Sequence, residues 1–343
     1  MKKLIYSLIV LMLLIFSVSC AQAKSFVADG FAMGTVISQE VYGANSQKAS
    51  DEVMAKIKYI EALMTISVPG GDVNKLNENA GKGYVALDPE TISVLKSAQK
   101  ISHLSGGAFD VTVGPLVKAW GIGTDKPQIP TDATLKTLIP LIGYADVHLD
   151  EAGNKASLQR TGQIVDLGGI AKGYAGDVAK EIYKRNGAKS AFINLGGNVV
   201  VLGNKPDGNA WGIGIQNPRA ATGEVVGVVH VSDKAVVTSG DYQRYFEKNG
   251  KRYCHILDSH TGYPAESGLM GVTIIASSST EADGLSTAAF VLGLDKGLDL
   301  IKRYGQADAI FITTDKKIYV TKGLQGNFQL KDASNEYTYV EER

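Results

Sequence analysis

A chain of 343 residues with 35 basic and 35 acidic side chains has no net charge with which to attract a polyanion. No basic run interrupts that balance, which argues against nucleic acid and for a small molecule or a protein as partner. Two cysteines, Cys20 and Cys254, exclude a disulfide framework.

Residues 1–23 read as a secretory leader: Lys2 and Lys3, an apolar run from Leu4 to Val18, then small residues. Two processing routes stay open. Ala21-Gln22-Ala23 is a cleavage site before Lys24, whereas Ser17-Val18-Ser19-Cys20 is lipobox-like and would make an acylated Cys20 the first mature residue. Either route exports the protein, to the periplasm, and the second anchors it to a membrane by lipid. The run falls short of the ~18–20 apolar residues a retained span needs. Losing Lys2 and Lys3 leaves 33 basic against 35 acidic residues, a net charge of −2. Residues 24–343 show no low-complexity linker or composition break and are expected to form a single domain.

Phe31 to Tyr42 alternates as a first strand, with Met33-Gly34-Thr35 ahead of its core part. Ser46 to Met64 is predicted helical, because Val53, Ile57, Ile60 and Met64 recur at three- and four-residue steps. Residues 64–77 pass through Pro69-Gly70-Gly71 and read as a loop. Asp88-Pro89-Glu90 starts a helix with a cap, a first-turn proline and an acid at the dipole's positive end. That helix carries Ile92, Leu95 and Ile101 and stops at Gly106-Gly107. Residues 107–123 are too irregular for one element, and 147–150 with 155–160 form a hairpin. Ile164 and Val165 read as the end of a buried strand, closed by Asp166. Gly168-Gly169 turn the chain into a helix from Ile170, with Ala171, Tyr174, Ala175 and Val178 facing inward.

Ala191 to Leu195 is a strand ending in a second Leu-Gly-Gly. The pair Asp166-Leu-Gly-Gly and Asn194-Leu-Gly-Gly hints at two related halves. Short strands follow at 199–202, 211–215 and 225–231, and Asn249-Gly250 joins a hairpin of 242–248 with 251–257. Val272 to Ala276 is a buried strand. Ser278-x-x-Glu281 is a capping box for a helix running to Leu292. A shorter helix at 295–303 and strands at 308–314 and 317–321 complete an α+β fold, since strands and helices do not alternate regularly.

Three stretches invite chemistry. The Gly168-Gly169 turn at a helix start, with Lys172 in the first turn, is either an anion cradle or a turn that needs glycine for close packing. Asp283 and Thr287 lie four apart on one helix face, where a carboxylate and a hydroxyl suit a hard cation such as Mg²⁺. They equally suit a helix-dipole partner and a packed β-branched residue. His255 and His260 flank Asp258 at a strand end, either as a site or as a hydrogen-bonded turn. Cys254, in a strand with no orienting partner, is expected to be structural.

Taken in order, MGT (33–35), GAFDVTVGPLVKAWGIG (107–123), DLGGIAKGYAGD (166–177), NLGGN (194–198), TSGDYQRYF (238–246), HILDSHTGYP (255–264) and ADGLSTAAFVLG (282–293) resemble the FAD:protein FMN transferase (ApbE) family. The resemblance covers nearly all of the chain after the leader. It implies an exported, Mg²⁺-dependent α+β enzyme that splits FAD and attaches FMN through a phosphoester to a Ser or Thr of a target protein, releasing AMP. Typical targets are membrane subunits of sodium-pumping or Rnf-type redox complexes and flavin-carrying reductases. By the same resemblance, Gly169 (through its carbonyl), Asp283 and Thr287 hold the metal. Met33, Ala108, Phe109, Asp110, Asp166, Lys172, His255 and Ile256 hold the flavin nucleotide. Asp283 and His255 are the candidates for the base. Some relatives hydrolyse FAD to FMN and AMP or merely hold it, so a pyrophosphatase and an FAD-binding protein remain alternatives. One motif departs: Ser67 and Gly71 stand where the family carries a nucleotide-stacking Tyr and a second Ser.

Overall fold

The structure, a computed structural model, describes residues 25–341; the predicted leader and its Cys20 lie outside them. The chain opens with strands Ser25–Ala32 (β1) and Thr35–Tyr42 (β2), then helices Ser46–Met64 (α1) and Asp72–Glu78 (α2). Next come Val85–Ala86 (β3), the helices Pro89–Ser105 (α3), Gly114–Trp120 (α4) and Asp132–Leu138 (α5), and the hairpin Val147–Asp150 (β4) with Lys155–Leu158 (β5). Helix Ala171–Arg185 (α6) leads into Ser190–Leu195 (β6), Asn198–Leu202 (β7), Trp211–Gln216 (β8), Val225–Val231 (β9) and Ala235–Gly240 (β10). The hairpin Tyr245–Lys248 (β11) with Lys251–Cys254 (β12) precedes Leu269–Ala276 (β13) and helices Ser279–Leu292 (α7) and Leu294–Tyr304 (α8). Ala307–Thr313 (β14), Lys317–Val320 (β15), Phe328–Leu330 (β16) and Thr338–Glu341 (β17) end the chain.

Nine strands form one sheet in the order β1-β2-β6-β7-β10-β13-β14-β15-β17, antiparallel except for β15 with β17. Its central strands are buried on both faces, so their residues sort by the two-residue period of a strand. Val200, Ala235, Val237, Val272, Ile274 and Phe311 face the helices, in the same cluster as Ile57, Leu95, Ala175 and Leu285. Val199, Val201, Val236, Ile275, Ile310 and Ile312 face the other way, against Ile213, Ile215 and Val229 of the small sheet β16-β9-β8. A third cluster gathers round Trp120, whose indole N–H donates to the Gly262 carbonyl (2.8 Å) and whose ring meets those of Phe246, Tyr253 and Tyr263.

The α+β expectation and the helices α1, α3, α6 and α7 stand as read. Other expectations need correction. Phe31 to Tyr42 is not one strand: Met33 and Gly34, at φ 52° and 68°, turn it back between β1 and β2. Residues 64–77 are not all loop, since α2 begins at Asp72 and runs on to Glu78. Strand β10, unread in the sequence, pairs with both β7 and β13. Ile164 makes only a single parallel bridge, to Val113, and Val165 is held by a side chain in place of a strand. The two Leu-Gly-Gly turns are not alike, since Gly196 and Gly197 have φ of 61° and 100° while Gly168 and Gly169 are not left-handed. The capping box is half made: Ser278 Oγ accepts the Glu281 N–H (3.3 Å), but the Glu281 carboxylate turns to Lys100 and Tyr304.

The tips that matter lie at one end of the large sheet. The β1–β2 turn at 33–34, the β6–β7 turn at 196–197 and the segment leaving β10 come together there, with the Gln243 amide donating to the Thr238 carbonyl (3.0 Å). Helix α7 packs across β10 and β13 and brings its residues to the same end.

Candidate functional site

Glycines let α6 and α7 approach closely. A side chain at Gly173 would collide with the Ser279 carbonyl and come within 2.7 Å of Asp283 Cβ. The Gly173 N–H belongs to the first turn of α6, where amides lack a helical partner, and it donates to Asp283 Oδ2 at 2.8 Å. Asp283 therefore caps the helix opposite rather than its own. Its other oxygen, Oδ1, stands 4.0 Å from Lys172 Nζ. Thr287, one turn on, lies against Gly169: a Cβ there would sit 3.5 Å from Thr287 Oγ1 and 3.2 Å from Phe109 Cε2. Glycine at 169 is thus a matter of space, and it leaves a cradle bordered by a carboxylate oxygen, a hydroxyl and backbone. That donor set is all hard oxygen and fits Mg²⁺.

The segment before α6 is positioned from three directions. The Asn77 side chain acts as a surrogate strand, accepting the Val165 N–H (2.7 Å) and donating to the Val165 carbonyl (3.0 Å). The Asp166 N–H donates to the Val111 carbonyl at 2.7 Å, and the Gly114 N–H to that of Ile164 at 3.1 Å. Asp166 Oδ1 then accepts the Gly168 N–H at 2.8 Å, and Ile170 and Ala171 both donate to the Leu167 carbonyl. Most of the amide cradle read from the sequence is spent on the protein's own acceptors, and of its two glycines only Gly169 keeps a free N–H among the described residues. Asn77→Ala would orphan two backbone groups, and we expect a loss of about 2 kcal/mol in a urea titration with weaker FAD binding.

Positive charge reaches the site from side chains instead. Arg244, in the segment leaving β10, was not among the residues read from the sequence. Its Nη2 lies 3.5 Å from where a Cβ on Gly34 would be, and its Cδ 3.6 Å from the same point on Gly123. Arg244 and Lys172 both act on Asp166 and on His255. Burial lifts the Asp166 carboxyl above its usual range, with the Gly168 amide, Arg244 and Lys172 opposing. Burial, joined by the charges of Arg244 and Lys172, lowers His255 from 6.5 to about 4. His255 is therefore neutral at pH 7. Its Nδ1 lies 3.2 Å from the Arg244 carbonyl, which only accepts, so Nδ1 carries the proton and Nε2 offers a lone pair. His260 departs from this site, pairing through Nδ1 with Asp258 at 3.3 Å.

The remaining predicted residues serve more from within. Asp110 spends both oxygens internally: Oδ1 accepts the Thr112 N–H (2.8 Å) and hydroxyl (2.6 Å), and Oδ2 the Tyr144 N–H (2.8 Å). Burial raises its pKa against those bonds, and it shapes the loop rather than offering a free carboxylate. Phe109 is buried as a wall behind Gly169, and Ala108 and Ile256 are buried too, with the Ile256 carbonyl accepting the Ala265 N–H. Met33 donates its N–H to Glu61 Oε1 at 2.7 Å, which holds the β1–β2 turn against α1. At the departing motif, Ser67 is exposed, and a Cβ on Gly71 would strike the Ala62 carbonyl, so a serine does not fit there without a shift. Cys254 is buried with its thiol pushed up to about 11, in keeping with a structural role. A cavity of about 650 Å³ between α1 and α6 shares no lining residue with this site, and Lys56 with Glu90 and Arg185 with Glu52 pair across it.

Two cations that converge on one carboxylate and one neutral imidazole, beside hard oxygens, are the equipment of an enzyme acting on a pyrophosphate. Comparison with known proteins narrows that class. The profile of the ApbE family matches residues 33–311. An FAD:protein FMN transferase of Klebsiella pneumoniae (strain 342) is 35% identical over 301 residues, 88% of this chain and 93% of its own. One from Treponema pallidum (strain Nichols) is 33% identical over 330 residues, 91% of each chain. The crystal structure of the ApbE protein of Thermotoga maritima is similar at a TM-score of 0.82 and 33% identity, covering 89% of this chain and 99% of that one. The flavin transferase ApbE of Vibrio cholerae gives 0.80 at 28% identity, with the same coverage. The chain belongs to the ApbE family.

Proposed function

We propose that this protein is a Mg²⁺-dependent FAD:protein FMN transferase, which cleaves FAD and joins its FMN half by a phosphoester to a Ser or Thr of an acceptor protein. The observation that carries this reading is the meeting of Lys172 and Arg244 at Asp166 and His255, beside Asp283, Thr287 and Gly169. Relatives of that name, aligned over most of their own length, support it. Export by the 1–23 leader, either cleaved after Ala23 or processed at Cys20 to leave a lipid anchor there, belongs to the same proposal, as does a single domain over 24–343.

A cation held by Asp283, Thr287 and Gly169 would supply Lewis acidity at the pyrophosphate. The chain's own groups do the rest. Lys172 and Arg244 bind the pyrophosphate and meet the charge that grows on its oxygens. The acceptor hydroxyl oxygen forms a bond to the FMN-side phosphorus while the bond from that phosphorus to the bridging oxygen breaks. The bridging oxygen leaves with the electron pair as part of AMP. The hydroxyl proton passes to His255 Nε2. Asp283 is the poorer base, because one oxygen already accepts the Gly173 N–H and the other faces Lys172.

Incubation with FAD, Mg²⁺ and a flavin-accepting domain, followed by mass spectrometry and AMP assay, should give one FMN on the acceptor per AMP released. Free FMN in its place would make water the acceptor and the protein a pyrophosphatase, and unchanged FAD would overturn the enzymatic reading. If His255 works as the neutral base, kcat/KM should fall only as pH drops through about 4, and the free protein's His255 should titrate there by NMR. Titration near 6.5 would mean that neither burial nor the charges of Arg244 and Lys172 bear on it.

A further inference from the structure

Thr287 contributes a hydroxyl to the cation site, and a hydroxyl binds a cation through a lone pair with its proton turned elsewhere. Where that proton goes can be read from a chain of three hydroxyls between α7 and β10. Ser286 Oγ donates to the Asp283 carbonyl at 2.8 Å, and a carbonyl has no proton to give in return. Ser286 has then used its one proton, so its 2.8 Å contact with Ser239 Oγ requires Ser239 to donate. Ser239 in turn offers Thr287 only a lone pair, and the 3.3 Å contact between them takes the Thr287 proton. Ser286 is fully buried and Ser239 is 8% exposed, so water does not readily substitute for either.

We propose that Ser239 and Ser286 are positioning residues that draw the Thr287 proton into the core and leave its lone pairs facing the cation. The proposal rests on the reading of Asp283, Thr287 and Gly169 as the cation site. It makes Ser286 matter although its hydroxyl meets only the Asp283 backbone carbonyl and Ser239, and not the Thr287 hydroxyl. Without the Ser286 hydroxyl, Ser239 is free to donate to Thr287, and the Thr287 proton is driven outward against the cation. Loss of a partner that orients a metal ligand typically weakens metal binding by about 10–100-fold.

The test is Mn²⁺ alone, titrated into the full chain, with free Mn²⁺ followed by electron paramagnetic resonance and thermal stability measured in parallel. Ser239→Ala and Ser286→Ala should each weaken Mn²⁺ binding by about tenfold. The double variant should be no weaker than either single one, because both break the same chain. Ser239→Thr, which keeps a hydroxyl, should recover most of the affinity. Unchanged Mn²⁺ affinity in both single variants, or losses that add in the double, overturns the relay and leaves the serines as core packing. Asp283→Asn separates the two readings: it should abolish binding, and wild-type protein that binds no Mn²⁺, or Asp283→Asn that binds it as well, overturns the cation site and the relay with it.

Discussion

Asp283→Asn should unfold close to the wild-type temperature and yet lose metal-dependent turnover by roughly two orders of magnitude or more. The two halves of that expectation come from the two oxygens of one side chain. Oδ2 holds the Gly173 N–H, and an asparagine oxygen accepts the same bond, so the start of α6 stays satisfied. Oδ1 faces Lys172, one helical turn before the Thr287 hydroxyl that lies against Gly169, and there the amide brings no charge to a divalent cation. Asp283→Ala removes both functions. It leaves a buried amide without an acceptor, at a cost of about 1–3 kcal/mol, so its melting temperature should fall as well. AMP release and calorimetry on the two variants tell these effects apart. Near-normal turnover in a folded Asp283→Asn would reduce Asp283 to a helix cap, the role in which its position on α7 is otherwise complete.

Helices α1, α3, α6 and α7 were legible because each combines a cap or a breaker with apolar residues at helical steps, and these are local signals. Helix α2 was not, for its seven residues follow Pro69-Gly70-Gly71 and carry little periodicity. What secures it is tertiary: Gly71 fits under the Ala62 carbonyl, and Asn77 clips the chain at Val165. The β1–β2 hairpin was hidden because its turn is made by Met33 and Gly34, with a positive φ at a methionine, and lacks the Asn-Gly signal that marked 249–250. At the site, Asp283 and Thr287 could be paired from spacing because one helix carries both. The Gly168-Gly169 turn was marked by its glycines, which give room rather than φ; the Gly168 amide is taken by Asp166, while the Gly169 amide has no acceptor among the described residues. Arg244 had no such signal. It lies far along the chain from Asp166 and Gly34, and only the closing of the large sheet brings it to them.

That arginine carries the other large effect. Arg244→Ala should weaken FAD binding by about tenfold to a hundredfold, the worth of a charge-assisted hydrogen bond at roughly 1.4 kcal/mol per factor of ten. Riboflavin, which has no phosphate, should bind no worse. Among the described residues Arg244 has no carboxylate within ion-pair distance, so the main loss falls on the ligand, and the one protein group it supports at longer range, Asp166, keeps the Gly168 amide and Lys172. Lys172→Ala should act in the same direction but less cleanly, because Lys172 also stands by Asp283 at 4.0 Å. A second readout ties Arg244 to the site without any ligand. Its charge helps hold His255 near 4, so Arg244→Ala should raise the His255 titration toward 6.5, and Lys172→Ala should do likewise. Pyrophosphate added to wild-type protein should raise it too, because an anion between the two cations cancels the same field. If FAD and riboflavin weaken equally in Arg244→Ala, the guanidinium packs against the flavin or the turn at Gly34 rather than gripping phosphate. If His255 does not move in either variant, the two cations do not share one site, and the anion would have to be held by the Gly169 amide, since those of Gly168, Ile170, Ala171 and Gly173 are already taken.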